Sequence, residues 1–326
     1  MKIGIIGTNF VSDAMVEASL LVNEFELTVV CSRNIDNAKA FAEKHNIANY
    51  TDNHEDFLDY DLDAVYIAVP NVLHKDLTIY FLNNKIPVFC EKPMASNYDE
   101  VKEMIDASVQ NNTLLMEGIV PIYTDAIQVI KDNLSEIGQV RSAIMAMNQY
   151  SSRYDAYREG QVLNAFKPEL SNGSTMDIGL YPLSVSIALF GKPESISASA
   201  FLLSSKVDGK GTIVLHYCDK DIIVTHSKIS NQVLIPEIQG EDGVIQMSHV
   251  SLLNEVSITK NKAEKEVLYS DFETPSMYFE FKALAKALKA KNIEAFPGAH
   301  QLSLDIHEVL TEARRQTNVV YPADKK

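Results

Sequence analysis

The chain has 326 residues, a length that predicts two domains, and its 46% hydrophobic and 22% charged residues are typical of a soluble globular protein. Its 44 acidic residues outnumber 29 basic ones, and the formal charge of −15 argues against nucleic acid as a partner. No segment approaches the roughly 18 apolar residues of a membrane span. Three widely spaced cysteines predict reduced thiols, and the early glycine-rich N-terminus argues against a signal peptide, so we expect a cytoplasmic protein.

The first strand, turn and helix have the arrangement of a dinucleotide-binding motif. A buried strand is predicted at 2–6, and apolar residues then recur at helical spacing. In the turn, Gly7 stands at the first glycine position of the fingerprint, Asn9 at the second and Ser12 at the third. Asn tolerates left-handed dihedral angles, and its amide can donate to a phosphate. We therefore predict a cofactor loop, with a plain strand-to-helix turn as the alternative. The predicted contacts are Gly7, Thr8, Asn9 and Phe10.

The second predicted strand, 27–31, ends without the acid that NAD-binding folds place there for the ribose 2′-hydroxyl. Ser32 and Arg33 follow it instead, and the first acid is Asp36. The forked guanidinium of Arg33 matches phosphate oxygens, and Ser32 adds a hydroxyl. We therefore predict NADP as the preferred cofactor, with NAD possible; a surface arginine with no ligand is the alternative.

Further strands are predicted at 64–69, 87–90 and 114–118, alternating with helices as in a doubly wound parallel sheet. Ligands of such sheets bind at the carboxyl ends of the strands. The residues at those ends are therefore candidate cofactor contacts. For His74, the alternative is the first residue of a helix. For Glu91 and Lys92, the alternative is a solvated ion pair. The candidates are Pro70, Asn71, His74, Glu91, Lys92 and Glu117.

The pattern changes in the second half, where strand-like runs follow one another from about residue 140 and predict a mainly antiparallel sheet. The predicted domains are 1–121 and 122–326, with late helices at 277–290 and 299–317 and a closing strand at 319–321. Asp177 and Tyr181 stand four residues apart and share one face of a predicted helix. His300 and His307 on the last helix have no third ligand in view, so no metal site is predicted.

Four segments, in this order along the chain, resemble motifs of the Gfo/Idh/MocA family of oxidoreductases. They lie at 4–8, 68–74, 91–93 and 173–181, and Glu91-Lys92-Pro93 is the most characteristic. The resemblance implies an N-terminal Rossmann domain that binds NAD(P) and a C-terminal α+β domain with an open antiparallel sheet. It also implies a last helix that returns to the first domain, and a homodimer or dimer of dimers. In having a tyrosine at position 181, the chain resembles the dihydrodiol dehydrogenase and glucose-fructose oxidoreductase branch of the family.

The resemblance further implies hydride transfer between nicotinamide and a carbinol or carbonyl carbon of a sugar, polyol or trans-diol. Tyr181 is the expected acid/base, and Lys92 would favour its phenolate and hydrogen-bond the substrate oxygen. Asp177 would orient the pair or anchor a second hydroxyl. From the residues alone, the favoured interpretations are a half-buried aromatic for Tyr181 and a helix N-cap for Asp177. A non-catalytic NAD(P)-binding sensor of the same fold is the alternative function, and a sugar-nucleotide or biliverdin-type reductase is a further one.

Overall fold

The computed structural model describes residues 1–290 and 297–325. Its contacts divide the chain into two compact units. The first contains Met1–Gly118 and Pro275–Ser303, and the second contains Ile119–Thr274 and Leu304–Lys326. Among the described residues, no helix combines the length and the apolar character that crossing a bilayer requires.

The first unit is built on a six-stranded parallel sheet with the strand order β3-β2-β1-β4-β5-β6. β4, β5 and β6 are buried along their whole length, and apart from Glu91, Glu117 and a glycine their residues are apolar. The order reverses between β1 and β4, and at such a switch point a crevice opens at the carboxyl ends of the strands. The strands are β1 (Lys2–Ile6), β2 (Glu26–Cys31), β3 (Asn49–Thr51), β4 (Ala64–Ile67), β5 (Val88–Glu91) and β6 (Leu115–Gly118).

Helices cover this sheet, and a late helix contributes an aromatic side chain to its core. Phe281 packs against Tyr66 and Phe89, with ring centroids 6.0 and 5.3 Å away. Asn9 caps the first helix through its side chain, and Asn23 ends that helix in a left-handed conformation. Numbered along the whole chain, the helices of this unit are α1 (Phe10–Val22), α2 (Ile35–His45), α3 (His74–Asn83), α4 (Tyr98–Asn111) and α9 (Met277–Ala290).

The second unit contains an eight-stranded sheet in the order β14-β13-β12-β11-β7-β10-β9-β8. β7 and β10 pair in parallel, and the other neighbours are antiparallel. Residues of β12 alternate between buried and half-exposed, so one face of the sheet carries the core. The strands are β7 (Val140–Asn148), β8 (Ser195–Leu202), β9 (Asp208–His216), β10 (Asp221–Ser227), β11 (Glu237–Gly240), β12 (Gly243–Met247), β13 (Glu255–Lys260) and β14 (Glu266–Ser270).

One apolar helix of the second unit, α8, packs on β7 and β10 and begins with a π-helical turn at Thr175–Gly179. Gly179 closes that turn against the ring of His226, where a Cβ would lie 2.9 Å from the imidazole. The helices are α5 (Val120–Tyr123), α6 (Asp125–Asn133), α7 (Tyr154–Arg158), α8 (Leu180–Phe190) and α10 (Pro297–Thr317), whose first residues belong to the other unit.

The fold class is confirmed: a doubly wound parallel sheet precedes a mainly antiparallel one. The closing strand expected at 319–321 is wrong. The Tyr321 N–H donates to Asp324 Oδ2 at 2.8 Å, and the guanidinium of Arg314 lies 4.2 Å from the Tyr321 ring centroid. These contacts hold the segment in an irregular conformation that leads into a 3-10 turn at Pro322–Lys325.

Candidate active site

The turn after β1 can be formed only by glycine. Gly7 has a φ of +107°, and a Cβ there would lie 2.0 Å from the carbonyl oxygen of Ala68. The Gly7 N–H donates to the Cys31 carbonyl at 2.9 Å, and Ser12 Oγ donates to the Gly7 carbonyl at 2.9 Å. The ends of β1, β2 and β4 are thereby held closely around this turn.

Asn9 has a structural role that the sequence analysis did not predict. Its φ of −95° is extended, so Asn9 does not use the left-handed conformation that asparagine tolerates. Asn9 Oδ1 accepts from the Val11 N–H at 2.8 Å, and Nδ2 donates to the Ala68 carbonyl at 2.8 Å. The amide is therefore engaged with protein atoms rather than directed at a phosphate, and it ties α1 to the end of β4.

A cavity of about 570 Å³ opens at the carboxyl ends of β1, β2 and β4, where a doubly wound sheet binds its ligand. Arg33 and Ser32 line it at the end of β2, and Thr8 Oγ1 lies 3.5 Å from Ser32 Oγ. The glycine turn and the adjacent guanidinium fit a dinucleotide phosphate. The predicted residues that line the cavity are Gly7, Thr8, Asn9, Ser32, Arg33 and Pro70.

The other predicted cofactor residues lie outside this lining. Phe10 is exposed, whereas His74 is buried with Nδ1 2.9 Å from the Pro93 carbonyl and Nε2 2.8 Å from the Val69 carbonyl. Burial lowers the pKa of His74, and the two carbonyls oppose that shift. His74 thus joins the loops after β4 and β5. The remaining residues outside the lining are Asn71, Glu91, Lys92 and Glu117.

Glu91 ends β5 as a buried carboxylate with defined donors. Tyr66 Oη donates to Glu91 Oε1 at 2.6 Å, and the Lys92 N–H donates to Oε2 at 3.2 Å. Burial raises the pKa of Glu91, while the Tyr66 hydroxyl and the Lys92 charge lower it. These contacts support a role for Glu91 in holding the loop that follows β5.

Glu117, at the end of β6, connects three segments of the first unit. Its Oε1 accepts from the Met94 N–H at 2.8 Å, and its Oε2 accepts from Ser303 Oγ on α10 at 2.6 Å. On the same helix, His300 Nε2 lies 3.0 Å from the Leu115 carbonyl. The loop that carries Lys92 is therefore fixed from β6 and from the start of α10. Among the described residues, no cluster of histidine, cysteine and acidic side chains could hold a metal.

A second buried acid, Glu280 on α9, was missed by the sequence analysis. It is 0% exposed, and within the part of the chain that the structure describes neither carboxylate oxygen has a hydrogen-bond partner. Burial raises its pKa well above the ordinary value, the nearby Glu91 raises it further, and Lys92 opposes both. The only signal in the sequence is an acid between two phenylalanines, Phe279 and Phe281.

In the second unit, Asp177 lies on the π-helical turn and Tyr181 on the first turn of α8. A buried carboxylate, Asp208, anchors this turn by accepting from the Thr175 N–H at 2.6 Å and from Thr175 Oγ1 at 2.8 Å. A π-turn inside a helix often marks a functional position. Tyr181 is half-buried, and it belongs to the second unit whereas Lys92 belongs to the first.

Asp177 forms an ion pair that the sequence analysis also missed. Its Oδ2 accepts from Nζ of Lys228, the first residue after β10. Lys228 Nζ also donates to the Ala165 carbonyl at 3.3 Å and lies 5.3 Å from the Phe166 ring centroid. The N-cap alternative for Asp177 is therefore wrong, because its carboxylate is directed at a lysine and no side chain caps α8.

A glycine turn and a cavity at the switch point of a doubly wound sheet define a dinucleotide-binding protein, and comparison with known proteins gives its family. Residues 1–119 match the Gfo/Idh/MocA oxidoreductase family with its NAD-binding Rossmann fold, and residues 126–246 match the Gfo/Idh/MocA C-terminal domain. The chain belongs to the Gfo/Idh/MocA family and is an NAD(P)-dependent oxidoreductase that acts on CH–OH groups. This family resemblance, predicted from the four motifs, is confirmed.

Two relatives and one solved structure show the extent of the similarity. The chain is 40% identical to the scyllo-inositol 2-dehydrogenase (NADP+) IolU of Bacillus subtilis, covering 100% of this chain and 99% of the relative. It is 27% identical to a trans-1,2-dihydrobenzene-1,2-diol dehydrogenase of Danio rerio, covering 94% and 93%. KijD10, a 3-ketoreductase from Actinomadura kijaniata solved with NADP and TDP-benzene, shares the fold at 21% identity and a TM-score of 0.86, covering 98% and 99%.

Proposed function

We propose that this oxidoreductase transfers hydride between NADP and a carbinol carbon of a cyclic polyol or sugar, with Lys92 and Tyr181 as a proton relay. The choice of NADP rests on one observation: Ser32 and Arg33 both line the cavity at the end of β2. The similarity to a scyllo-inositol dehydrogenase over the whole chain supports the substrate class.

Each residue has a stated task in this proposal. The Gly7 turn holds the pyrophosphate, and the Arg33 guanidinium pairs with the 2′-phosphate of NADP. Bound NADP supplies the hydride acceptor. The Lys92 ammonium favours the phenolate of Tyr181 and hydrogen-bonds the reacting oxygen, so that Tyr181 Oη takes the hydroxyl proton. Asp177 accepts a hydrogen bond from a second hydroxyl of the substrate.

The test combines turnover with cofactor binding. Lys92→Ala and Tyr181→Phe should each lower kcat with scyllo-inositol and NADP about 10²- to 10⁴-fold, the range expected for a lost acid/base group. The dissociation constant for NADPH, measured by fluorescence titration, should stay within about twofold. Lys85→Ala is the matched control, because Lys85 is an exposed lysine just before β5.

Three outcomes would contradict the proposal. Failure to bind NADPH would remove the cofactor assignment, and an equal loss of binding and turnover in Lys92→Ala would remove the catalytic assignment. Tight binding of NADPH without turnover of any inositol, pyranose or trans-diol would support the non-catalytic sensor.

We also propose that the half-exposed face of the eight-stranded sheet forms a homodimer. The alternation of buried and half-exposed residues in β12 supports this, because it places the half-exposed residues together on the face of the sheet opposite the core. One chain has a mass of 36.3 kDa, and light scattering after size-exclusion chromatography should give twice that mass. A mass of one chain at micromolar concentration would contradict it.

A further inference from the structure

Lys228 places a positive charge in the interior of the second unit. The residue is 3% exposed, although lysine is rarely buried unless it is paired. Taking an ammonium out of water is costly unless nearby acceptors compensate for it. Here the Asp177 carboxylate and the Ala165 carbonyl provide that compensation.

The same ammonium connects three segments that are distant in sequence. Lys228 follows β10, Asp177 lies 51 residues earlier on the π-turn, and Ala165 and Phe166 form a short turn before it. Phe166 is completely buried and belongs to an apolar cluster. That cluster contains Ala165, Phe166, Leu203 and Val207, with Tyr154, Tyr157 and Ile229 packed against it. Lys228 therefore links the π-turn to this apolar cluster.

The ion pair is asymmetric in its access to solvent. The Asp177 side chain is 31% exposed, whereas the Lys228 side chain is 4% exposed. The cation thus lies beneath the carboxylate, and the carboxylate meets the solvent. A carboxylate fixed in this way keeps its orientation, and it can accept a hydrogen bond from a hydroxyl outside.

We infer that Lys228 is a positioning residue that holds Asp177 as the acceptor for a second substrate hydroxyl, and so sets the preference for diols over simple alcohols. This inference rests on the proposed function. A simple alcohol has no second hydroxyl for Asp177, so it gains nothing from the ion pair. Lys228 itself touches neither substrate nor cofactor in this scheme.

A double-mutant cycle tests the inference. Lys228→Met, Asp177→Asn and the double variant are compared with the unaltered enzyme, using NADP with scyllo-inositol or with cyclohexanol. Lys228→Met should lower kcat/KM for scyllo-inositol about 10- to 100-fold, as a misplaced binding group does. In the Asp177→Asn background the same change should cost less than about threefold, because its effect passes through Asp177. For cyclohexanol the loss should also stay below about threefold.

Two further variants separate positioning from folding. Lys220→Met is the matched control: Lys220 precedes β10 and pairs with its neighbour Asp219, and its removal should leave both activities unchanged. Lys228→Arg keeps the charge and should recover part of the scyllo-inositol activity. If Lys228→Met is too unstable to purify, Lys228→Arg and Asp177→Asn carry the same comparison between the two alcohols.

The outcomes distinguish this inference from the proposed function. Equal losses in both Asp177 backgrounds, or on both alcohols, would show that Lys228 serves stability alone and would overturn the inference while leaving the dehydrogenase intact. An unaltered enzyme that binds NADPH and oxidises no polyol would instead overturn the proposed function and the inference with it.

Discussion

Replacing Gly7 by alanine tests whether the cofactor turn depends on the absence of a side chain. The added Cβ would lie 2.0 Å from the Ala68 carbonyl oxygen, well inside van der Waals contact, so the end of β4 must move by roughly 1 Å. The φ of +107° adds a backbone strain of about 1–3 kcal/mol for a residue other than glycine. With the displaced carbonyl, which also accepts from Asn9, the total loss of stability should reach about 2–5 kcal/mol.

A second glycine separates the clash from the strain. Gly160 has a φ of +89° and no atom within 4 Å of the position of an added Cβ, so Gly160→Ala should cost only the strain. Urea unfolding gives the stabilities of both variants, and NADPH fluorescence titration gives the binding. Gly7→Ala should be the less stable variant and should bind NADPH at least about tenfold more weakly. A Gly7→Ala protein that matches Gly160→Ala in both measurements would refute the steric argument.

Two other substitutions test the cofactor choice and the buried acid. Arg33→Ala should weaken NADP binding about 10- to 100-fold, the value of lost charge-assisted hydrogen bonds, and should leave NAD binding within about twofold; equal effects on the two would contradict the assignment. Because the pKa of Glu280 is raised, the folded chain keeps a proton on this carboxyl that the unfolded chain releases above about pH 4.5. The free energy of unfolding therefore falls as the pH rises from about 4.5 toward the raised pKa. Glu280→Gln removes that cost, and its gain in free energy of unfolding over the unaltered chain should grow as the pH rises above about 5; a gain that does not change with pH would contradict the raised pKa of Glu280.

The parts of the fold that were predictable carry a strong local signal. Most strands of the parallel sheet contain a short apolar run, and the polar residues that follow β2 identified Ser32 and Arg33, which line the cavity. β13 and β14 were missed because polar residues interrupt both, and β14 is an edge strand whose residues are half-exposed or exposed. The expected strand at 319–321 has a strand-like composition, but side-chain contacts that only the folded chain provides decide its conformation.

The missed residues of the site were hidden for a different reason. Lys228 and Glu280 are single charges within otherwise apolar or mixed segments, and neither belongs to a motif. Their charged neighbours are distant in sequence: Asp177 is 51 residues from Lys228, and Glu91, which acts electrostatically on Glu280 of α9, lies on β5. The sequence predicts which residues end a strand, but it does not predict which buried charge a later helix or strand brings beside them.

These buried charges explain how each unit prepares its own part of the chemistry. A functional ion in a partly dry site needs compensation, since an isolated charge would shift its protonation state or draw in water. In the first unit the acidic Glu91 accepts from the Lys92 N–H, and Glu280 lies within electrostatic reach of both. In the second unit Lys228 plays the corresponding part for Asp177. The proposed catalytic cation Lys92 thus has the carboxylate of Glu91 beside it, and the proposed hydroxyl acceptor Asp177 has the ammonium of Lys228, so each group has an oppositely charged neighbour from its own unit before substrate arrives.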